Sequence, residues 1–411
     1  MLNMFLYKLN NYLGLAMCSL LPSLTCASEA PDISALSVPE GFKINIYAKL
    51  DIAPRMMAFS PDGNLFVSSY KNNTVLMLAD TNHDGIAEAP IVISSNLNAP
   101  NGLAFINDDL LVANQDGIVK MTRQHDAWSD PAPFIGPLAT GGHSVKTIKL
   151  GPDNHLYINV GSSCNVCNES EPTRATILRY TIDGKPAGAL SMTGRHSQLP
   201  PIWASGLRNA QGFAWHPITQ AMFATNNGAD MRSDKKGGPV NDQLPPEHIN
   251  HIQRGKHYGW PHCWGNINGS MTIDPNFPGP DQFCQLATPP ALMLTSHSTP
   301  IGITFLDKSQ FPEEFNQDAI VALHGSWNRQ QLSGYKLVRL QFKDGQPVKA
   351  TDFVTGWLRE NKAWGRPVDV VVGPDGALYV SDDRTRYIYR ITYQPNEANK
   401  IVEEKNVKTN R

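Results

Sequence analysis

One pattern recurs along the chain and constrains its fold more than any other feature. It consists of a short apolar strand, a turn that is often Pro-Asp-Gly, and a second apolar strand that ends in small or polar residues. The clear copies are residues 57–67, 148–158 and 370–380, and the weaker copies are residues 102–112, 212–224 and 302–322. Because Asp and Gly supply the backbone geometry of tight turns, each copy predicts a β-hairpin.

A further apolar strand follows several of these hairpins, at residues 74–78, 177–180, 335–340 and 387–391. One four-stranded sheet per copy is the unit of a β-propeller, so the six copies predict an all-β, six-bladed β-propeller. A single blade cannot bury both of its faces, and the blades therefore pack around a common axis as one domain. The expected bounds of this propeller are residues 36–393, and a polar tail is expected over residues 394–411.

Residues 1–27 differ in composition from the rest of the chain. Residues 12–24 are mostly apolar, and Thr25-Cys26-Ala27 is typical of a cleavage site with small residues, which indicates a secretory signal peptide. A lipoprotein anchor at Cys26 is the alternative, although Ser23 and Thr25 fit its consensus poorly. No other segment is apolar and long enough to span a bilayer. We therefore expect a protein without a transmembrane segment that is periplasmic or secreted.

The cysteines outside this leader are Cys164, Cys167, Cys263 and Cys284. An exported protein meets an oxidising compartment, which favours disulfides, and proximity along the chain favours the pairs Cys164–Cys167 and Cys263–Cys284. A redox-active Cys-x-x-Cys is one alternative, but its βαβ context is absent. A zinc site is the other, and it would need ligands from about a hundred residues away.

The charge of the chain limits its partners. Charged residues make up 18% of the sequence and the net charge is −2, so there is no bulk basicity that would indicate nucleic-acid binding. An anionic ligand must then meet a local cluster of cations. Polar residues stand just before the first strand of several copies: Asn101 before the second, His143 before the third, Arg208 and Asn209 before the fourth, and Arg366 before the sixth.

These positions are equivalent within the repeat, so in a propeller they lie on one face around the axis. Histidine titrates near neutral pH and is the usual general base, while arginine keeps its charge and binds carboxylates in a bidentate way. The alternative is that each residue caps a strand or fills a loop. Polar segments that follow the inner strands, at residues 225–230, 323–329 and 381–383, could turn backbone carbonyls toward a hard cation such as calcium, or be plain loops.

Two further patterns suggest metals. Residues 80–88 place oxygen-bearing side chains at alternate positions with glycine sixth, as in a calcium loop, but Ile91 stands where the bidentate glutamate belongs. A weak structural calcium site and a plain turn remain open there. His248 and His251 could form a metal-binding pair, although packing or surface histidines are the favoured interpretation because no third ligand is evident.

Five stretches together carry a resemblance to a known family: residues 142–144, 160–167, 207–212, 257–261 and 324–329. In these stretches the chain resembles the sugar dehydrogenases that depend on pyrroloquinoline quinone (PQQ), the soluble glucose/sorbosone dehydrogenase family. It is most similar to the L-sorbosone dehydrogenase-like branch, and the resemblance extends over roughly residues 36–393.

The resemblance implies a six-bladed propeller with PQQ lying flat across the axis and a Ca²⁺ ion at the quinone edge. His143 matches the general base that takes the sugar hydroxyl proton before a hydride passes to the quinone. Arg208 matches the residue that polarises the quinone oxygen. The residues expected to contact the cofactor are Asn209, Gln211, Asn101, His324, Arg329 and Arg366. The carbonyls of Gly228 and Ala229 stand where the family binds calcium.

The chain departs from the glucose-oxidising members at three positions. Gly142 stands where those members carry an acid, Val368 stands at their second cationic position after Arg366, and Ala229 replaces a proline. Loss of the acid argues against glucose as the substrate. His143 and Arg208 both remain, so the redox chemistry implied by the resemblance is retained.

The expected function is therefore that of an exported quinoprotein oxidoreductase. It would oxidise a small-molecule sugar or sugar aldehyde and pass the electrons to an external acceptor. One alternative is a metal-dependent lactonase-type hydrolase, which needs carboxylate or Asn ligands on the axis and is disfavoured by arginines there. The other is a non-catalytic propeller that binds carbohydrate or protein, in which His143, Arg208 and Arg366 would point apart.

Overall fold

A computed structural model of the protein describes residues 33–125, 127–189, 201–266 and 268–395. The expected signal peptide, residues 1–27, and residues 396–411 of the expected tail lie outside the described residues. In the part of the chain that is described, no helix combines the length and the apolar character needed to cross a membrane.

Six four-stranded antiparallel sheets dominate the described residues, and they form the blades of a six-bladed β-propeller, which confirms the predicted fold class. The first blade has the strands Met57–Phe59, Leu65–Ser69, Thr74–Leu78 and Ile91–Ser94. The second has Gly102–Ile106, Asp109–Asn114, Gly117–Met121 and Ala132–Ile135. The third has Ile148–Leu150, His155–Val160, Thr176–Thr181 and Ile202–Ser205.

The other three blades follow in chain order, except for the last strand of the sixth. The fourth blade has Phe213–Trp215, Met222–Asn226, Glu247–Ile252 and Leu292–Leu294. The fifth has Pro300–Phe305, Ala319–Leu323, Lys336–Lys343 and Gln346–Val354. The sixth has Pro367–Val372, Leu378–Asp382, Tyr387–Tyr393 and Phe42–Lys49.

Short hairpins and helical segments lie outside the four-stranded sheets. Three two-stranded hairpins pair Arg123–Gln124 with Ala127–Trp128, Cys263–Gly265 with Met271–Ile273, and Leu358–Arg359 with Lys362–Ala363. The helical segments of the described residues are the α-helix Phe283–Leu286 and the 3₁₀ turns Ile33–Ala35 and Glu313–Phe315. Both disulfides predicted from sequence proximity, Cys164–Cys167 and Cys263–Cys284, are confirmed.

The N-terminal strand closes the ring of blades. Phe42–Lys49 pairs antiparallel with Tyr387–Tyr393, so the first strand of the described chain completes the blade formed by the last three. Phe42 also packs its ring against Phe311 and Phe353 of the fifth-blade region, with ring centroids 4.8 and 5.1 Å apart. The two ends of the propeller are therefore held together by backbone hydrogen bonds and by an aromatic cluster.

The core of the described residues lies between the blades. Each pair of neighbouring blades shares one apolar cluster, so both faces of every sheet are covered. This explains why inner strands such as Leu65–Ser69 and Ala319–Leu323 are buried along their whole length. A smaller cluster at the axis consists of Met56, Ile301 and Val368, the residues at or just before the first strands of the first, fifth and sixth blades.

We expect the variant Phe42→Ala to lower the free energy of unfolding by about 3–5 kcal/mol, because it deletes a buried ring and leaves a cavity where the chain ends meet. Equilibrium unfolding in urea measures this change. The neighbouring variant Lys43→Ala is the control, since Lys43 is exposed on the same strand and its removal should change stability by less than about 0.5 kcal/mol. Equal effects of the two variants would show that the aromatic contact does not hold the closure.

Candidate functional site

A cavity of about 190 Å³ lies on one face of the propeller, where segments flanking the inner strands meet around the axis. Seven residues predicted from the sequence line it: His143, Arg208, Asn209, Gln211, Gly228, His324 and Arg366. Larger clefts of about 590, 530 and 420 Å³ lie elsewhere, but no Lys or Arg is among the described residues that line them. The smaller cavity is therefore the one with the chemistry for an anionic ligand.

His143 contributes a neutral imidazole to this cavity. Its backbone N–H donates to the carbonyl of Ser162 at 2.9 Å, and its Nδ1 lies 2.9 Å from Ser162 Oγ. Burial and, secondly, the charge of Arg208 lower the pKa of His143 to about 4. At neutral pH the ring therefore carries a free lone pair, as a general base requires.

Arg208 is held in a fixed orientation on the same side of the cavity. Its Nη2 donates to Asp230 Oδ2 and to Asn165 Oδ1, both at 2.9 Å, and its Nε donates to the Asn165 carbonyl at 3.1 Å. Asp230 also accepts a hydrogen bond from Asn328 at 2.8 Å. Nη1 of Arg208 has no hydrogen-bond partner among the described residues, so it is the donor left to meet a ligand.

A second network of charges lies across the cavity. Arg366 Nη2 donates to His324 Nδ1 at 2.9 Å, so His324 carries its proton on Nε2 and donates it to Asp383 at 3.1 Å. Arg55 forms an ion pair with Asp383 at 3.1 Å and donates to Gln211 at 3.3 Å. Burial alone would raise the pKa of Asp383. The hydrogen bond from His324 and the nearby guanidinium charges outweigh this effect and lower the pKa of Asp383.

Free carbonyl oxygens beside Glu247 form a third part of the site. The carbonyls of Gly228 and Ala229 accept no hydrogen bond from the described residues. Glu247 lies behind them and accepts hydrogen bonds from the backbone N–H groups of Gly228 at 2.6 Å and Thr299 at 3.2 Å. Burial raises the pKa of Glu247 to about 7. Carbonyl oxygens that accept no hydrogen bond are donors that suit a hard cation.

Several buried polar atoms of the lining lack partners among the described residues. They are Asn209 Oδ1, Asn227 Oδ1, Asn328 Oδ1 and Arg366 Nε. A buried polar group without a partner costs free energy, so such a cluster indicates a place where a ligand completes the hydrogen bonding. The three amide oxygens need a donor or a cation and the guanidinium needs an acceptor, so the cavity suits a polar ligand that offers both.

Two of the predicted cofactor contacts lie elsewhere. Asn101 is buried under the blades, where its amide donates to the Lys146 carbonyl at 3.0 Å, and it does not line the cavity. Arg329 points away and donates to the Ser296 carbonyl at 2.9 Å. Ala229 lines a smaller void beside the main cavity rather than the cavity itself.

The other metal candidates are occupied by local contacts. Within residues 80–88, the carboxylate of Asp80 accepts the backbone N–H groups of Asp84 and Gly85 at 3.1 and 2.9 Å. His248 Nε2 accepts the N–H of Gly265 at 3.0 Å, and His251 stacks on Phe223. The two histidines therefore pack in the fourth blade, as the favoured interpretation of this pair expected.

Sequence reasoning missed several residues of the site. Arg55 lies two residues before the first strand of the first blade, as the predicted Gln211 does in the fourth, so the repeat contained a signal for it. Asp230 and Asp383 lie in the polar strand-end segments that the sequence singled out, but without assigned roles. The remaining unpredicted lining residues are Asn227, Glu247, His297, Thr299, Gly325, Trp327 and Asn328.

Comparison with known proteins finds relatives over most of the chain. An uncharacterised protein of Borreliella burgdorferi is 29% identical over 407 residues, which is 94% of this chain and 98% of that protein. A pyrroloquinoline quinone-dependent pyranose dehydrogenase of Coprinopsis cinerea is 24% identical over 412 residues, with 87% of this chain covered. The aldose sugar dehydrogenase YliI of Escherichia coli is 25% identical over 252 residues, or 60% of this chain. The matches span only 54% and 59% of the lengths of these two enzymes.

Solved structures share the fold. A calcium structure of a Trichoderma reesei enzyme of Carbohydrate-Active Enzymes Family AA12 matches with a TM-score of 0.75 at 19% identity, covering 89% of this chain and 100% of the other. The holo PQQ domain of Coprinopsis cinerea pyranose dehydrogenase matches with a TM-score of 0.72 at 20% identity, covering 87% and 97%. The family model described as TrAA12-like matches residues 36–394, and the protein therefore belongs to the TrAA12-like family.

Proposed function

We propose that this protein is a PQQ-dependent oxidoreductase that oxidises a sugar or sugar aldehyde. The observation that carries the proposal is the convergence on one cavity of a neutral His143, an oriented Arg208 and an Arg366 that binds a neutral histidine rather than a carboxylate. The relatives support the same chemistry, since a pyranose dehydrogenase and an aldose sugar dehydrogenase are among them. The sorbosone-type substrate implied by the sequence resemblance is part of the proposal.

The lining offers suitable groups to hold the cofactor. Arg366, which forms no ion pair with a carboxylate of the described residues, would meet a carboxylate of PQQ, and Asn209 and Gln211 would bind its polar edge. The free carbonyls of Gly228 and Ala229 would hold Ca²⁺. When bound, PQQ supplies the acceptor for the two electrons that leave the sugar.

His143 and Arg208 would act on the reacting atoms. The lone pair of His143 takes the proton from the sugar hydroxyl, because burial keeps the imidazole neutral in the working range of pH. Nη1 of Arg208 donates to an oxygen on which negative charge develops, and its fixed orientation means that no reorganisation is needed at that moment. Arg208 is therefore a stabilising donor, and His143 is the base.

The region around His143 also limits the substrate. Gly142 has a φ of +59°, and a Cβ atom there would lie 2.6 Å from the Ser162 carbonyl oxygen. The position at which glucose-oxidising members carry an acid therefore cannot hold any side chain here. Trp327, 72% exposed at the rim of the cavity, offers an aromatic face to a substrate instead. These features favour a sugar derivative other than glucose.

A metal-dependent hydrolase is less well supported by the geometry. Asp230 is paired with Arg208 and Asp383 with Arg55, and both oxygens of Glu247 accept backbone hydrogen bonds. These three carboxylates are thus engaged by cations or by backbone N–H groups rather than free to ligate a catalytic metal.

Reconstitution tests the proposal directly. Titration of the purified protein with PQQ and Ca²⁺ should give saturable binding by calorimetry. The loaded protein should then reduce an artificial dye with sorbosone or other sugar-derived aldehydes more efficiently than with glucose. The controls omit PQQ or Ca²⁺. The absence of PQQ binding, or hydrolysis of lactones without PQQ, would contradict an oxidoreductase.

The variant His143→Ala should lower kcat by about 100- to 10,000-fold, because it removes the general base. Cofactor binding should change little, since the polar groups proposed to contact PQQ remain. The measurement is dye reduction under saturating sugar, combined with calorimetric titration of PQQ. Asn168→Ala, on an exposed position of the same blade, is the control. Parallel loss of PQQ binding and turnover would argue against a role as base.

The pH profile should reflect the environment of His143. Only the neutral ring accepts a proton, and its pKa is lowered from 6.5 to about 4. The quantity kcat/KM should therefore stay level from neutral pH down to about pH 5 and fall only as the pH drops further. Dye reduction across this range measures it, with PQQ binding followed in parallel. An acid limb centred at the ordinary histidine pKa would contradict a buried base beside Arg208.

A further inference from the structure

Residues 162–167, here called the disulfide loop, contact both side chains to which the proposed function assigns the chemistry. The loop follows the strand His155–Val160 of the third blade and is closed by the bond between Cys164 and Cys167. Ser162 at its start contacts His143, and Asn165 within it contacts Arg208. A single short ring therefore lies against the proposed base and the proposed stabilising donor at once.

Ser162 determines which nitrogen of His143 carries the proton. The hydroxyl of Ser162 donates its only hydrogen to the Cys164 carbonyl at 2.7 Å, so its oxygen can only accept from a neighbour. Nδ1 of His143 lies 2.9 Å from this oxygen and 3.2 Å from the Ser162 carbonyl, which is also an acceptor. Nδ1 must then be protonated, and in a neutral ring the lone pair is left on Nε2.

The backbone keeps these groups in direct contact. A Cβ atom at Gly161 would lie 2.5 Å from the Cβ of His143, and one at Gly142 would lie 2.6 Å from the Ser162 carbonyl oxygen. The two segments are thus packed without space for a side chain at either glycine. His143 cannot shift along the loop without breaking this contact.

Asn165 orients the guanidinium of Arg208 from two directions. Its carbonyl accepts from Arg208 Nε and from the indole N–H of Trp260, both at 3.1 Å. Its amide oxygen accepts from Arg208 Nη2 at 2.9 Å and from the backbone N–H of Asp230 at 2.8 Å, and its NH₂ group donates to the Asp230 carbonyl at 3.0 Å. With Nε and Nη2 engaged, Nη1 is the part of Arg208 left for a ligand.

The disulfide restricts the positions of two backbone carbonyls, one that supports the contact with His143 and one that binds Arg208. The Cys164 carbonyl receives the Ser162 hydroxyl, and the next carbonyl, that of Asn165, receives Arg208. A bond between Cys164 and Cys167 restricts the backbone torsions of both peptides. Loop-closure stabilisation grows with loop length, so a ring of this size adds less to global stability than the Cys263–Cys284 bond, whose sequence separation is 21. The effect of the Cys164–Cys167 bond is therefore local.

We propose that the disulfide loop is the positioning element of the site, which sets His143 in the Nδ1–H form and aims Nη1 of Arg208 into the cavity. Ser162 and Asn165 are positioning residues, and turnover depends on an intact Cys164–Cys167 bond. The expected effect of the loop on turnover rests on the proposed function. The tautomer of His143 and the orientation of Arg208 are properties of the protein without cofactor, so they can be tested in that form.

The first experiment uses the protein without PQQ. Long-range nitrogen–proton correlation spectra of isotope-labelled histidine distinguish the two tautomers, and the spectrum of His143→Gln assigns the resonances of His143. We expect the Nδ1–H form in the wild type and a mixture of tautomers in Ser162→Ala. We also expect the Arg208 Nη2 hydrogens to exchange slowly with water in the wild type and faster in Asn165→Ala, which removes the amide oxygen that accepts from Nη2. A wild-type His143 in the Nε2–H form would overturn the proposal.

The second experiment uses the loaded enzyme. Ser162→Ala, Asn165→Ala and the double variant Cys164→Ser/Cys167→Ser should each lower kcat by about 10- to 100-fold, as loss of supporting hydrogen bonds does. Asn168→Ala is the matched control, because Asn168 is exposed just outside the loop and its removal should leave kcat within about twofold of the wild type. Wild-type kcat in the folded double variant would overturn the proposal.

Measurements of melting temperature show whether loss of the Cys164–Cys167 bond affects only the site or the stability of the whole fold. Cys263→Ser/Cys284→Ser should lower the melting temperature more than Cys164→Ser/Cys167→Ser and lower kcat less. The opposite order would overturn the proposal. Should the double variant at 164 and 167 not fold, the single variants at Ser162 and Asn165 still decide the question. Failure of the wild type to bind PQQ would refute the proposed function instead, and the spectra without cofactor would still test the loop.

Discussion

The pairing of Phe42–Lys49 with Tyr387–Tyr393 is the contact on which the rest of the structure depends. It brings the first and sixth blades side by side, and the ion pair between Arg55 and Asp383 crosses that junction. His324 reaches the same carboxylate from the fifth blade. Each blade supplies only a few of the groups around the cavity, so no isolated hairpin can form the site. The site therefore exists only when the ring of blades is closed.

Two of the arginines at the cavity each form an ion pair with an aspartate. Arg208 is neutralised by Asp230 and Arg55 by Asp383, while Arg366 binds the neutral ring of His324. Removal of one member of a buried pair leaves an uncompensated charge, which is strongly destabilising, so these residues constrain stability and chemistry together. Arg366 contacts a neutral ring rather than a carboxylate, so in the proposed function it is the guanidinium best placed to meet an anion.

The sequence predicted the features that depend on local contacts. The repeated strand–turn–strand pattern revealed all six inner hairpins, and proximity along the chain revealed both disulfides. The closing strand Phe42–Lys49 was missed because its partner lies at the far end of the chain. Equivalent positions in the repeat brought His143 and Arg208 together, but position does not determine side-chain direction. Asn101 donates to the Lys146 carbonyl and Arg329 to the Ser296 carbonyl, and neither side chain lines the cavity.

The apolar residue at position 368, where the sequence resemblance implied a cation, is explained by its surroundings at the axis. Val368 is fully buried against Met56 and Ile301, so the position is part of an apolar contact between the inner edges of three blades. A cation placed there would lose its hydration and would need a new counter-ion. The neighbouring Arg366 instead extends over this apolar floor to His324. In the proposed function, recognition of an anion would therefore depend on Arg366 without support from a cation at position 368.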